Sequence, residues 1–308
     1  MNVVLFCGVS VQRHHFHPPM GGQPSVPPPP PSPLFDDPWM NVSWGDNNRD
    51  LHYVDSFRPV NDEVRHIRVL LYGPVGAGKS SFITSVSNAL RRRMTCEALA
   101  SAANSSGQSF SKKYLTHRIR KGGKGNYYCL VLNDTMGLEE GYGRGIHTHD
   151  IKLAMMGHVK EGYKFNPLAP LSNGDPDYNS SPSLNDRVHV MVCVHNANAP
   201  EMKSSILLKL REIREAASRK GVPQLAVLTN VDEACIDTKT SLRNVYRSKY
   251  LKKKISEFSS SFGIPINCIL PVKNYSHEIQ TCSDVDTLIL RAVRLIDLGH
   301  DFTNKVLR

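Results

Sequence analysis

A strand that breaks into a glycine loop and resumes as a helix leaves a chain few ways to fold. Ile67 to Tyr72 is a short apolar run that reads as a buried strand. It breaks at Gly73, and Lys79 opens a helix through Phe82, Ile83, Val86 and Leu90. Gly73-Pro74-Val75-Gly76-Ala77-Gly78-Lys79-Ser80 is thus Gly-x-x-x-x-Gly-Lys-Ser in the strand–loop–helix setting of a phosphate loop. Small residues at Gly76, Ala77 and Gly78 let successive main-chain N–H groups curl around a polyphosphate above the first helical turn, which also carries Ser81. Lys79 would reach the β- and γ-phosphates, and the Ser80 hydroxyl would ligate Mg2+. The bland alternative is a chance glycine loop; motif and setting together favour nucleoside triphosphate binding.

From Val64 onward strand and helix patterns alternate. Strands are predicted at Ile67–Tyr72, Tyr114–Arg120, Tyr127–Asn133, Val188–Val194, Gln224–Thr229 and Ile266–Leu270. Helices are predicted at Lys79–Arg92, Asp150–Val159, Glu201–Arg219, Ser241–Phe262 and Asp284–Leu298. Gly122-Gly123-Lys124-Gly125 reads as a hairpin turn, which makes one edge strand antiparallel. The expected fold class is therefore α/β: a mostly parallel sheet with one antiparallel edge strand and helices on both faces. Leu207, Leu210, Ile213 and Ala217 form one apolar stripe, read as core.

More than half of the 20 prolines precede residue 60, concentrated in Pro27 to Pro31. Such a tract favours polyproline II and builds no core. The expected organisation is a disordered proline-rich arm over 1–48, a lead-in over 49–63, a nucleotide-binding domain over 64–303 and a tail over 304–308. Trp39, Trp44 and Leu51 to Phe57 are expected to lie against the globular part. His14, His15 and His17 lack a partner at metal-ligand spacing and read as part of the arm.

Seven cysteines without any Cys-x-x-Cys argue for a reducing cytosol rather than a disulfide framework. No apolar run approaches the ~18–20 residues of a membrane span, and Val3 to Val11 lacks the basic flank of a secretory signal. The net charge of +10 lies mainly beyond the first sixty residues. It would suit an acidic partner, an anionic membrane or RNA, but no aromatic-interleaved RNA-stacking motif accompanies it, so nucleic acid is not the expected partner.

Ligands of open α/β sheets sit at the carboxyl ends of the strands, where two further motifs fall. Tyr127–Asn133 runs into Asp134-Thr135-Met136-Gly137: Asp134 would hold Mg2+ and the Gly137 N–H would sense the γ-phosphate. Gln224–Thr229 runs into Thr229-Asn230-Val231-Asp232, where guanine-selective proteins place Asn/Thr-Lys-x-Asp. Asp232 would accept two hydrogen bonds from guanine that adenine cannot offer, each on the order of 1.5–3 kcal/mol; its other reading is a helix N-cap. Asn230 stands where lysine is usual, which should weaken binding about tenfold, or ~1.4 kcal/mol. Val272 and Lys273, in Pro271-Val272-Lys273-Asn274, fall where a loop would back the guanine ring, and the Lys273 stem could replace the missing lysine.

Together, Gly73 to Phe82, Ser111-Lys112-Lys113-Tyr114, Leu228 to Cys235 and Pro271 to Ser276 resemble the interferon-induced protein 44 and 44-like family, over roughly residues 38–302. The resemblance implies a Ras-like GTP-binding domain using GTP/GDP and Mg2+, a cytoplasmic location, and induction in antiviral or innate immune responses. Members often carry an N-terminal TLDc-type module; here the proline-rich arm occupies that place.

Ras-type GTPases orient the attacking water with a glutamine just after Asp-x-x-Gly, and here that position is Leu138. Glu139, Glu140, His147 and His149 lie nearby, in a stretch whose Gly141, Gly143 and Gly145 suggest a solvated loop. The switch-I hydroxyl stays open among Thr116, Ser106, Ser109 and Ser111. The expectation is a slow or non-hydrolysing GTPase switch acting through cytosolic protein partners, with a nucleotide-dependent dimer left open. The alternatives are a pseudo-GTPase scaffold with weak nucleotide binding, and an ATP-using kinase or RNA-linked NTPase.

Overall fold

The computed structural model describes residues 32–95, 112–123, 125–294 and 296–306. The tract at 27–31, Lys124 and the candidate serines Ser106, Ser109 and Ser111 lie outside them. The description below concerns Pro33 onward.

The apolar runs become β1 (Ile67–Tyr72), β2 (Leu115–Arg120), β3 (Tyr127–Asp134), β4 (Val190–Asn196), β5 (Gln224–Thr229) and β6 (Ile269–Pro271), in one sheet ordered β2-β3-β1-β4-β5-β6. Every neighbouring pair is parallel except β2–β3 at the edge, joined through the glycine-rich turn. In β1 only Arg68 is partly exposed, as expected of a strand covered on both faces. The strand order and the lone antiparallel edge are those of a Ras-like P-loop G domain, the expected fold.

The helices are α1 (Asn47–Ser56), α2 (Lys79–Arg91), α3 (Thr148–Met156), α4 (Ser204–Arg219), the short α5 (Val231–Ala234) and α6 (Ile236–Thr240), α7 (Lys249–Phe262), α8 (Ser283–Val293) and α9 (Ile296–Val306). α1 and α2 both neighbour α8, and α3 and α7 both neighbour α4, as two separate helical groups. No helix among the described residues is long and apolar enough to cross a membrane.

One predicted helix is broken. Ser241–Phe262 becomes a 3-10 turn, Leu242–Tyr246, followed by α7, whose N-cap Ser248 accepts the Leu251 N–H at 3.2 Å. The cause is tertiary. The Tyr246 and Arg247 carbonyls, which a continuous helix would use internally, accept instead from the N–H groups of Trp39 at 2.9 Å and Phe35 at 2.8 Å. Residues from Pro33 therefore dock, ahead of the boundary expected at 48: Trp39 meets Tyr246 edge-on at 4.9 Å, and the Phe35 ring lies under Lys249 and Lys252.

The predicted C-terminal helix likewise parts at Arg294 into α8 and α9. Gly157, left-handed at φ 87°, ends α3 before the predicted Val159. The chain then makes a long excursion before β4, which no periodicity announced. It is pinned by the Asp150 carboxylate, which accepts the Leu171 N–H at 2.8 Å, and by Tyr114, Tyr163 and Phe165 packed ring to ring.

Candidate nucleotide-binding site

Between β1 and α2 the backbone turns through left-handed conformations at Gly76 (φ 74°) and Gly78 (φ 87°). Gly78 caps α2 in a left-handed conformation that favours glycine, and a Cβ there would lie 2.9 Å from Asn274 Nδ2, so that side chain would have to shift. The amides of Gly76, Gly78 and Lys79 find no acceptor among the described residues, while Ala77 N–H donates to Pro74 O at 3.3 Å. Unsatisfied N–H groups gathered at a helix N-terminus form a concavity for an anion. Beneath it the buried Lys79 ammonium donates to Pro74 O at 3.0 Å and Gly73 O at 3.3 Å. Burial draws its pKa down, against the pull of the Asp134 carboxylate. A phosphate beside it would favour its charged form.

Ser80 Oγ, on the first turn of α2, donates to Asp134 Oδ2 at the end of β3, at 2.6 Å. A hydroxyl and a carboxylate side by side are the hard oxygen donors that suit Mg2+. Ser81 lies on the same turn, its carbonyl taken by Ser85 Oγ. Past Asp134, Thr135 Oγ1 ties the chain to Leu71 O at 2.8 Å. Gly137 then lies so close to the loop that a Cβ on it would stand 2.7 Å from Val75 Cα.

Most side chains beyond that point are engaged elsewhere. Leu138 is 1% exposed, within the core. Glu140 pairs with Lys203 and takes a hydrogen bond from Ser205; the Glu139 carbonyl receives Lys209 Nζ. His147 Nε2 sits 2.9 Å from Pro167 O. Thr116 lies within β2, where its hydroxyl and N–H both go to the Glu161 carboxylate. The side chains of Glu140, His147 and Thr116 are held by partners of their own, whereas the Glu139 carboxylate lies within electrostatic reach of Lys79.

The residues expected to read the base gather at the same edge of the sheet. Thr229, fully buried at the end of β5, donates its hydroxyl to Ala77 O at 2.8 Å, stapling the Thr229–Asp232 segment to the phosphate loop. Asn230 takes the left-handed conformation (φ 56°) and its amide donates to Glu233 Oε2 at 3.1 Å. Asp232 follows on α5, rooted by the fully buried Val231. The buried Val272 donates its N–H to Leu228 O at 2.7 Å, extending the β6 pairing past Pro271. Lys273 Nζ then reaches Asp232 Oδ2 at 3.5 Å and Glu278 Oε1 at 3.0 Å. Burial disfavours the Lys273 charge, but the Glu278 hydrogen bond and the Asp232 carboxylate outweigh it and hold its pKa above that of an ordinary lysine.

Three contributors were not legible in the motifs. Asn274 Nδ2 donates to Gly78 O at 3.2 Å, so the last loop braces the first. Glu278 shares Lys273 with Asp232. Ser85 Oγ accepts the Tyr275 N–H at 2.9 Å, fixing that same loop on α2. Asn274 had a signal, its place directly after Lys273; Glu278 and Ser85 had none.

No family model matches the chain. It is 36% identical to interferon-induced protein 44 of Homo sapiens over 245 residues, covering 79% of this chain and 54% of that protein. The Mus musculus protein of the same name is 35% identical over 247 residues, 80% of this chain and 57% of that one. Interferon-induced protein 44-like of Homo sapiens is 32% identical over 257 residues, 83% and 56% respectively. The chain therefore spans about half the length of the curated relatives it matches. Among solved structures, Toc33 from Arabidopsis thaliana in complex with GDP and Mg2+ is similar at a TM-score of 0.44 and 14% identity, over 85% of this chain and 94% of that one.

Proposed function

This chain is a homologue of interferon-induced protein 44 and 44-like over about four-fifths of its length, and on that premise we propose that its G domain binds guanine nucleotide with Mg2+ as a slow or non-hydrolysing switch. Gly73, Gly76, Ala77, Gly78, Lys79, Ser80 and Ser81 would hold the phosphates, with Gly137 at their far end. Ser80 and Asp134 would hold the metal, which supplies charge neutralisation between the phosphate oxygens. Thr229, Asn230, Asp232, Val272 and Lys273 would form the base pocket. The observation that carries the reading is the stapling of the Thr229–Asp232 segment onto the phosphate loop through Ala77 O. A nucleotide on those amides would then project its base toward the segment bearing Asp232.

Titration of GDP, GTP and ATP into the full chain, Lys79→Ala and Asp232→Asn tests it. Guanine preference, lost phosphate binding in Lys79→Ala and a shift toward xanthosine nucleotide in Asp232→Asn are expected. Equal affinity for ATP and GTP would overturn the reading.

The buried Leu138 supplies no group to orient water, which favours slow turnover or none. Asn230, bonded to Glu233 where a lysine would brace the loop, favours weak binding and with it a second reading, a pseudo-GTPase scaffold. In either case the domain works in the cytoplasm through protein partners, or a second copy of itself, in innate antiviral defence. Single-turnover hydrolysis separates the two from an active GTPase: a fast unassisted rate would contradict both.

A further inference from the structure

Asp232 and Lys273 stand on rigid roots. Val231, fully buried, precedes Asp232, and its carbonyl accepts Thr238 Oγ1 at 2.6 Å. Val272, also fully buried, precedes Lys273 and is pinned to Leu228 O. The slack between them is the Lys273 side chain, and two carboxylates compete for its one ammonium. It bonds to both, but lies nearer Glu278 Oε1, at 3.0 Å, than Asp232 Oδ2, at 3.5 Å. Glu278 is itself fixed: its other oxygen accepts the N–H groups of Ser276 at 2.8 Å and His277 at 3.1 Å.

We propose that Glu278 is a positioning residue for base recognition: it draws the Lys273 ammonium toward itself, at 3.0 Å against 3.5 Å for Asp232, so that the Asp232 carboxylate keeps the capacity to accept from the Watson–Crick edge of guanine. The inference rests on the guanine-binding reading above. Two carboxylates sharing one ammonium leave the cluster with a net negative charge, which favours the adjacent N1–H and N2–H donors of guanine, a pair adenine does not present. Without the Glu278 charge, the ammonium has one partner left. It closes onto Asp232 and occupies the oxygens that read the base. The Lys273 stem meanwhile can still cover the ring in place of the lysine missing at position 230.

The test is a calorimetric titration of GDP, ADP and inorganic pyrophosphate into the full chain, Glu278→Gln, and Glu278→Gln combined with Lys273→Met. Glu278→Gln is expected to raise the Kd for GDP about tenfold while pyrophosphate binding stays as in the wild type. Adding Lys273→Met removes the misplaced ammonium but keeps most of the stem, and is expected to recover much of the lost affinity. A merely structural role for Glu278 in the 276–278 turn would show no such rescue. Thermal melts check folding, and Glu278→Ala serves if the glutamine variant unfolds. Wild-type GDP affinity in Glu278→Gln, or a double variant as weak as the single one, overturns this proposal alone. Equal binding of GDP and ADP by the wild type overturns the guanine reading and this proposal with it.

Discussion

The carbonyl of Leu138 accepts the N–H of Val75 at 3.1 Å, and the Leu138 N–H returns to Gly73 O at 3.0 Å. The segment after Asp-x-x-Gly is thereby paired with the phosphate loop through main chain, a short parallel bridge continuing the sheet beyond the end of β1. The pairing points the Leu138 side chain into the core. Residue type at 138 therefore bears on packing before it bears on water.

Restoring glutamine at this position should for that reason fail to restore catalysis. In Leu138→Gln a side chain 1% exposed becomes a buried amide without evident partners, at a cost of about 1–3 kcal/mol for the unmet polar group. The expected outcome is lower stability in urea denaturation, with single-turnover GTP hydrolysis within about twofold of wild type. A large gain in rate would show that the segment rearranges in the bound state.

Gly78→Ala should strike both halves of the site. The left-handed φ of 87° costs an L-residue roughly 1–2 kcal/mol. The added methyl, 2.9 Å from Asn274 Nδ2, also displaces the amide that donates to Gly78 O. GDP affinity is expected to fall about tenfold or more by calorimetry. Gly123→Ala, in the β2–β3 turn with open space around it, is the control and should bind as wild type.

Acid should destabilise the fold well above the carboxylate range. His66, His189 and His195 each have their pKa lowered to about 4, in every case first by burial. For His189 the geometry fixes the neutral form: Nδ1 accepts the Arg68 N–H at 2.9 Å while Nε2 faces Leu184 O at 3.0 Å. These folded-state pKa values lie below the unfolded one, so the three contribute fully above about pH 6.5. As pH falls toward 4 the unfolded chain takes up protons that the folded one refuses. Three such sites give a slope approaching ~4 kcal/mol per pH unit at most. Urea midpoints measured between pH 7.5 and 4.5 should decline steeply; a flat profile would show that these rings titrate normally.

The alternation of β-rich apolar runs with helical stripes was enough to place β1, α2, β3 and β5 almost to the residue, because each is a local pattern that burial then rewards. The phosphate loop was equally legible, since its glycines answer to backbone geometry within eight consecutive positions. The Ser241–Phe262 helix was not. Its periodicity is helical throughout, and only the N–H groups of Phe35 and Trp39, far away in sequence, claim the carbonyls that break it. The fate of Leu138 was half legible: the sequence excluded a water-orienting side chain but could not say that main-chain pairing buries it.

The chain by itself determined a sheet, a glycine turn between β1 and α2, and the candidate residues Asp134 and Asp232, because these follow from residue type at short spacing. Tertiary structure alone decided that Thr229 clasps Ala77, that Asn274 braces Gly78 and that Glu278 shares the Lys273 ammonium with Asp232. Such contacts join strand ends that parallel pairing brings to one edge across long separations in sequence, and no local preference encodes which side chains will meet there.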